Sequence, residues 1–174
     1  MKQIRLKNIS DNYFDIAWEL YKEAFPLNER RLFVAQERLM SDSKYHFDIL
    51  IDNNQLIGFL LWWDLEWFRY IDHFATSKQL RNKGYGKLIL EKFIKNNDKP
   101  ILLEVELPAS ELNKRRIKFY ERIGFKLNKH YYELPDFEGN QQPLELKLMT
   151  YPNLISKKDV EQFVKNCHPI IFDI

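Results

Sequence analysis

A chain of 174 residues, 45% hydrophobic and 30% charged, has the length of one domain and a composition that excludes a disordered or low-complexity tail. Its single cysteine, Cys167, excludes an intramolecular disulfide and a multi-cysteine zinc site, so no metal is expected and the thiol is read as reduced and non-catalytic. A net charge of +2 does not argue for nucleic acid, Leu56–Trp63 is far shorter than the ~20 apolar residues that span a bilayer, and Met1–Ser10 lacks the apolar block of a signal peptide. The expectation is a cytoplasmic chain that acts on neither nucleic acid nor membrane.

In chain order, Ile4 and Leu6 alternate in a short first strand over residues 3–7. Ser10 or Asp11 then caps a helix carrying Phe14, Trp18, Tyr21 and Phe25 at helical spacing, and Pro26 ends it. A second helix is expected over Asn28–Met40 with Leu32, Ala35 and Leu39 inward. Tyr45–Asp52 and Gln55–Trp63 read as a hairpin across the Asp52-Asn53-Asn54 turn. A strand over Trp67–Thr76 follows, then a basic glycine-containing loop and a helix from Gly84 to before Pro100. Ile101–Leu107 is a strand, Glu111–Ile123 a helix capped by Gly124, Phe125–Glu133 and Leu144–Met149 strands, and Lys157–Lys165 a last helix. The segment after Pro152 is read as an appendage of a single domain spanning 1–174.

The sharpest local feature is Gln79-Leu80-Arg81-Asn82-Lys83-Gly84-Tyr85-Gly86-Lys87, between a strand and a helix. Backbone N–H groups at a helix start suit an anion, and glycine lets the backbone approach it closely. Lys78, Arg81, Lys83 and Lys87 add positive charge, which makes the loop a phosphate or pyrophosphate cradle. It is neither a dinucleotide fingerprint, since Ile89 stands where a third glycine is needed, nor a Walker loop. Taken alone, the loop reads equally well as a helix cap with solvated lysines.

A second stretch breaks that tie: Asn113-Lys114-Arg115-Arg116-Ile117-Lys118-Phe119-Tyr120-Glu121-Arg122-Ile123-Gly124-Phe125. Together the two stretches resemble the GNAT N-acetyltransferase superfamily. Arg81 through Gly86 follows its acetyl-CoA loop, R/Q-x-x-G-x-G/A. Asn113 through Phe125 follows its N-x-x-x-x-x-F/L-Y-E-x-x-G-F helix and strand. The resemblance is strong from Trp67 to Phe125, and Arg116 departs from it where the family has a small residue. It implies an α/β fold with a central, mostly antiparallel sheet, a splayed parallel strand pair and flanking helices.

It also implies roles. Acetyl-CoA would be the acyl donor, its pantetheine arm beside the strand that carries Phe74 and Thr76, whose backbone groups would hold the arm and thioester. Arg81, Asn82, Lys83, Gly84, Tyr85, Gly86 and Lys87 would form the pyrophosphate loop, and Asn113 would hydrogen-bond the cofactor. Tyr120 would protonate the leaving thiolate, because a phenol with a pKa of about 10 sits above a thiol at about 8.5. Asp72 shares a strand face with Phe74 and Thr76 and is the expected general base, with Glu104 and Glu106 as alternatives. His73 falls on the opposite face by alternation and is set aside.

The acceptor is expected to be a primary amine of a small molecule or peptide. Trp62, Trp63, Trp67, Phe68 and Tyr70, with Asp64, Glu66, Asp72, Glu104 and Glu106 near them, would suit a cation, and Glu23 and Glu29 are weaker candidates to touch it. The reading is an acetyl-CoA-dependent N-acetyltransferase, monomer or homodimer. The alternative is a non-catalytic acyl-CoA-binding or sensor module on the same fold.

Overall fold

The first three strands form an antiparallel set because the hairpin turn and the apolar residues on either side agree in register. In a computed structural model that describes residues 1–95, 98–134 and 144–172, these are β1 (Lys2–Leu6), β2 (Tyr45–Asp52) and β3 (Gln55–Asp64). Ile4 stands opposite Ile49, and Ile49 opposite Phe59. Asn53 and Asn54 make the turn at φ 47° and 60°, a conformation asparagine tolerates. β3 is buried almost continuously from Ile57 to Trp63, which is why it reads as an apolar run rather than an alternation. The fold is mixed α/β with mostly antiparallel strands and one parallel pair, β4 (Arg69–Thr76) and β5 (Ile101–Glu106).

Two compact units are described: Met1–Asp64 with Ile71–Asn97, and Leu65–Tyr70 with Asp98–Ile174. In the first, α1 (Phe14–Ala24) buries Phe14, Ala17, Trp18, Leu20 and Tyr21. Its N-cap is Tyr13 at φ 75°, with no side-chain cap; the expected cap Asp11 instead accepts the N–H groups of Lys7 and Asn8. The expected helix over 28–40 is broken. A 3-10 turn at Leu27–Glu29 precedes extended backbone at Arg30 and Leu32, and α2 covers only Phe33–Leu39. Leu32, expected inside, is 78% exposed, while Gln36 is fully buried. The reason is Arg31, whose inward side chain needs the extended backbone on either side of it.

β4 joins the first unit beside β3, and here one glycine is required. A Cβ on Gly58 would lie 2.4 Å from the Ala75 carbonyl oxygen and 3.1 Å from the Thr76 Cα. No L side chain fits against backbone at that distance, so Gly58 lets the Phe74–Thr76 segment run close to β3. α3 (Tyr85–Lys95) covers this region through Ile89, Leu90 and Phe93.

In the second unit, β8 (Leu144–Tyr151) is the shared strand. It pairs with β5 on one side, Leu103 opposite Met149, and with β6 (Lys126–Leu127) and β7 (Tyr132–Leu134) on the other. The expected single strand 125–133 is thus two short pieces. The buried Asn128 interrupts it: its Nδ2 donates to the Leu148 carbonyl and Thr150 Oγ1, and its Oδ1 accepts Ile155 N–H. α4 (Glu111–Ile123) has the expected limits, with Ser110 Oγ capping Asn113 N–H and Gly124 closing it at φ 109°. α5 (Lys157–Ile171) opens on a Ser156/Asp159 capping box and runs six residues past its expected end. Its Phe163 packs on Phe68, Tyr70 and Tyr132, so the C-terminal segment is part of this unit's core.

Two outcomes follow from this packing. Gly58→Ala is expected to destabilise the protein by about 1–3 kcal/mol, the usual cost of overpacking, in denaturant titration; an unchanged midpoint would contradict the close approach. His168 is buried on α5 with its Nε2 2.8 Å from Tyr132 Oη, and burial pushes its imidazole down to about 4. The unfolded state then binds more protons between about 4 and the ordinary value, so stability is full above pH 6.5 and falls as pH drops through that window. His168→Gln is expected to flatten this limb of the denaturation midpoint against pH; an equal slope in both proteins would contradict it.

Candidate active site

The first unit holds a buried polar cluster around Asp72 of β4. Burial alone would raise a carboxyl's pKa and penalise its charge. Here the Arg31 guanidinium, and after it His73, outweigh burial and hold Asp72 well below the usual carboxylate range. Arg31 pairs with Asp72 Oδ2, which also accepts Trp63 Nε1–H at 3.1 Å, and His73 Nδ1 lies 2.8 Å from Asp72 Oδ1. Burial would ease the proton off Arg31, but Asp72 reverses this and keeps it charged. The Arg31 guanidinium also lies over the Tyr45 ring at 5.6 Å, and Tyr45 Oη donates to Gln36 Oε1.

The same cluster reaches the connector between α1 and α2. Arg31 N–H donates to Tyr21 Oη at 2.8 Å. Tyr21 Oη is 3.4 Å from His73 Nε2, which also lies 3.1 Å from the Glu29 carbonyl oxygen. The His73 ring packs edge-on against Phe25 and Tyr21. Strict alternation, which set His73 on the face away from Asp72, does not hold here. Asp72, His73 and Phe74 are all intermediate in burial, so β4 has no alternating pattern at this point.

The aromatic and acidic residues expected to line the acceptor site divide between the two units. Trp62 Nε1 donates to the buried Asp48, which Arg5 and Gln3 also hold, whereas Trp63 serves Asp72. Trp67 is 64% exposed, and Phe68 and Tyr70 pack within the second unit. Glu23 is exposed beside Lys78, and Glu29 takes part through its backbone carbonyl.

The glycine loop lies where the sequence puts it. Ser77 N–H donates to the Ile57 carbonyl, a 3-10 turn spans Lys78–Leu80, and α3 starts at Tyr85. Asn82 at φ 62° and Gly84 at φ 83° turn the chain into the helix. Arg81, Asn82, Lys83, Gly84 and Lys87 are exposed, and a Cβ on Gly84 would meet nothing within 4 Å. The Tyr85 ring and Phe74 pack on the core of Leu50, Ile57, Leu80 and Ile89, so these side chains anchor the loop.

In the second unit, Tyr120 is buried on α4, which pushes its hydroxyl up to about 12; Arg116 acts against that and Glu106 with it. Arg116, four residues earlier, pairs with Glu106. Glu104 accepts Tyr132 Oη–H. Asn113 Nδ2 donates to the Leu107 carbonyl at 2.9 Å, tying the start of α4 to the end of β5. Among the described residues no group of three or more His, Cys, Asp or Glu is placed to hold a metal, and no helix is long and apolar enough to cross a membrane.

A model of the acetyltransferase (GNAT) family matches residues 11–125. YjbC of Bacillus subtilis (strain 168), named as an acetyltransferase, is 29% identical over 163 residues and 82% of each chain. A solved structure from Bacteroides thetaiotaomicron, named as a GNAT-family acetyltransferase, is 35% identical over 100% of this chain and 99% of its own, with a TM-score of 0.91. A solved aminoglycoside 6'-N-acetyltransferase complexed with coenzyme A is 16% identical over 90% and 100% of the two chains, TM-score 0.63, a likeness of fold.

Removing the cation from the Asp72 cluster tests its energetics. Arg31→Met is expected to cost about 3–5 kcal/mol, because it leaves a buried charge without its main partner. Asp72→Asn added to that variant is expected to recover part of the loss in urea titration; strictly additive losses would contradict the pairing.

Proposed function

The chain belongs to the acetyltransferase (GNAT) family, and on that premise we propose that acetyl-CoA is its cosubstrate and that it moves the acetyl group to a primary amine of a small molecule or peptide. The observation that carries this reading is the 81–87 loop. It combines left-handed turns at Asn82 and Gly84, open space over Gly84, exposed cations and the start of a helix, which together fit a diphosphate. Arg81, Lys83 and Lys87 add charge attraction there, and the N–H groups from Asn82 to Lys87 supply donors. Phe74 and Thr76 follow on the strand that Gly58 draws close, and their backbone groups are assigned to the thioester arm. Asn113 is assigned a further hydrogen bond to the cosubstrate.

Acetyl-CoA supplies a thioester carbonyl open to attack by an uncharged amine. Tyr120 is assigned as the acid that protonates the departing thiolate. Burial keeps its phenol protonated well beyond neutral pH, so the proton is present when the thiolate forms. Arg116 opposes that burial and so favours release of the proton. Asp72 belongs to the half of the reaction that removes the amine's proton, as a fixed buried anion. With Arg31 and Trp63 on its Oδ2, the carboxylate is a weak proton acceptor in its own right.

Calorimetric titration of acetyl-CoA tests the loop, and thiol release in the presence of amines tests the reaction. Gly84→Val, strained at φ 83°, is expected to weaken acetyl-CoA binding at least tenfold in a folded protein. Tyr120→Phe is expected to keep binding and lose turnover about 10²-fold or more. Binding without turnover on any amine would favour an acyl-CoA sensor, and no binding to the wild type would overturn the reading.

A further inference from the structure

We propose that His73, oriented by Asp72, is the group that takes the proton from the incoming ammonium, with Tyr21 Oη and the Glu29 carbonyl as alternate partners of its Nε2. The inference rests on the amine-acetyltransferase reading above and adds to it the identity of the base and of its positioning residues.

The argument is one of hydrogen-bond partners in two charge states. Nδ1 faces an acceptor, Asp72 Oδ1 at 2.8 Å, and a donor, Arg31 Nη1 at 3.5 Å, and the much shorter contact to Asp72 assigns the proton to Nδ1 in both states. Nε2 faces two groups of opposite character. In the neutral ring its lone pair accepts the Tyr21 hydroxyl hydrogen at 3.4 Å. Tyr21 Oη can donate in that direction because its own acceptor side is taken by Arg31 N–H. In the protonated ring Nε2–H donates to the Glu29 carbonyl at 3.1 Å. Gaining or losing the Nε2 proton therefore leaves the ring satisfied, which is what a group that cycles through both states requires.

The ring is flanked by both charges of the cluster, Asp72 of β4 through Oδ1 at 2.8 Å and Arg31 of the connector through Nη1 at 3.5 Å. Tyr21 from α1, Tyr45 from β2 and Trp63 from β3 complete the polar groups of the cluster, and Phe25 covers a ring edge. The Nε2 edge lies beside the 3-10 turn at Leu27–Glu29, where Leu27 and Glu29 are exposed, and the His73 side chain itself keeps 12% exposure.

The protons balance. The ammonium gives one proton to His73 Nε2. The free amine attacks, the C–N bond forms and the C–S bond breaks. Tyr120 protonates the thiolate and regains its proton from the amide nitrogen through solvent. His73 releases its proton to water, which matches the single proton released overall.

The test uses spermidine and kanamycin as amine probes, with thiol release followed from pH 5.5 to 10. His73→Ala is expected to lower kcat about 10²–10⁴-fold near neutral pH and to move the acid limb of the profile upward, to where the amine itself loses its proton. The defect is expected to shrink at high pH, where the amine is already free, and added imidazole is expected to restore part of the rate. A structural role for His73 would give a defect independent of both pH and imidazole. His73→Gln serves if the alanine variant does not fold. Long-range proton–nitrogen NMR of the wild type gives a readout independent of turnover: the neutral ring is expected as the Nδ1–H tautomer, and Asp72→Asn is expected to lose that preference. An Nε2–H tautomer, or a His73→Ala enzyme with unchanged rate and acid limb, would overturn the role of His73 and leave acetyl transfer standing. A wild type that binds acetyl-CoA and acetylates neither probe would overturn the amine reading and this inference with it.

Discussion

A carboxylate removed from water must be given partners, and in the first unit much of the polar architecture answers that demand of Asp72. Five segments contribute: α1 through Tyr21, the connector through Arg31, β2 through Tyr45, β3 through Trp63 and β4 through Asp72 and His73. The Coulomb attraction to Arg31 is what outweighs burial. The extended backbone at Arg30 and Leu32, the short α2 and the exposure of Leu32 all follow from turning Arg31 inward. Cluster and helix break are two views of the same constraint.

That constraint also explains where the sequence was legible. The hairpin, the glycine loop and α4 were readable because each is written locally: Asn53-Asn54, the Gly84 turn, and a Ser110-to-Gly124 helix with both caps. The helix expected over 28–40 was not, because its break is imposed by a partner forty-one residues away in the chain. The interruption after β6 is similar, since Asn128 is fixed by Leu148, Thr150 and Ile155.

The candidate site divides along the same line. The loop residues 81–87 and Tyr120 carry motif signals. His73 and Arg31 carry none, because adjacent residues on a strand are assigned to opposite faces and an arginine in a polar connector reads as solvated. Asp72 and His73 meet side chain to side chain at 2.8 Å although they are neighbours on β4, and no local pattern announces it. Of the tryptophans that the sequence sets beside acidic residues, Trp62 and Trp63 donate to two separate carboxylates, Asp48 and Asp72.

The central claim is chemical, that an acetyl group passes from acetyl-CoA to an amine on this chain. The most direct measurement is mass spectrometry of a mixed amine pool, including spermidine, kanamycin and an alanine-ended peptide, incubated with acetyl-CoA and the wild-type protein. The account predicts one or more amines carrying a single added acetyl group, in amounts equal to the free CoA released above a protein-free control. CoA release at the control rate with every amine unmodified, from a protein that binds acetyl-CoA, would contradict it.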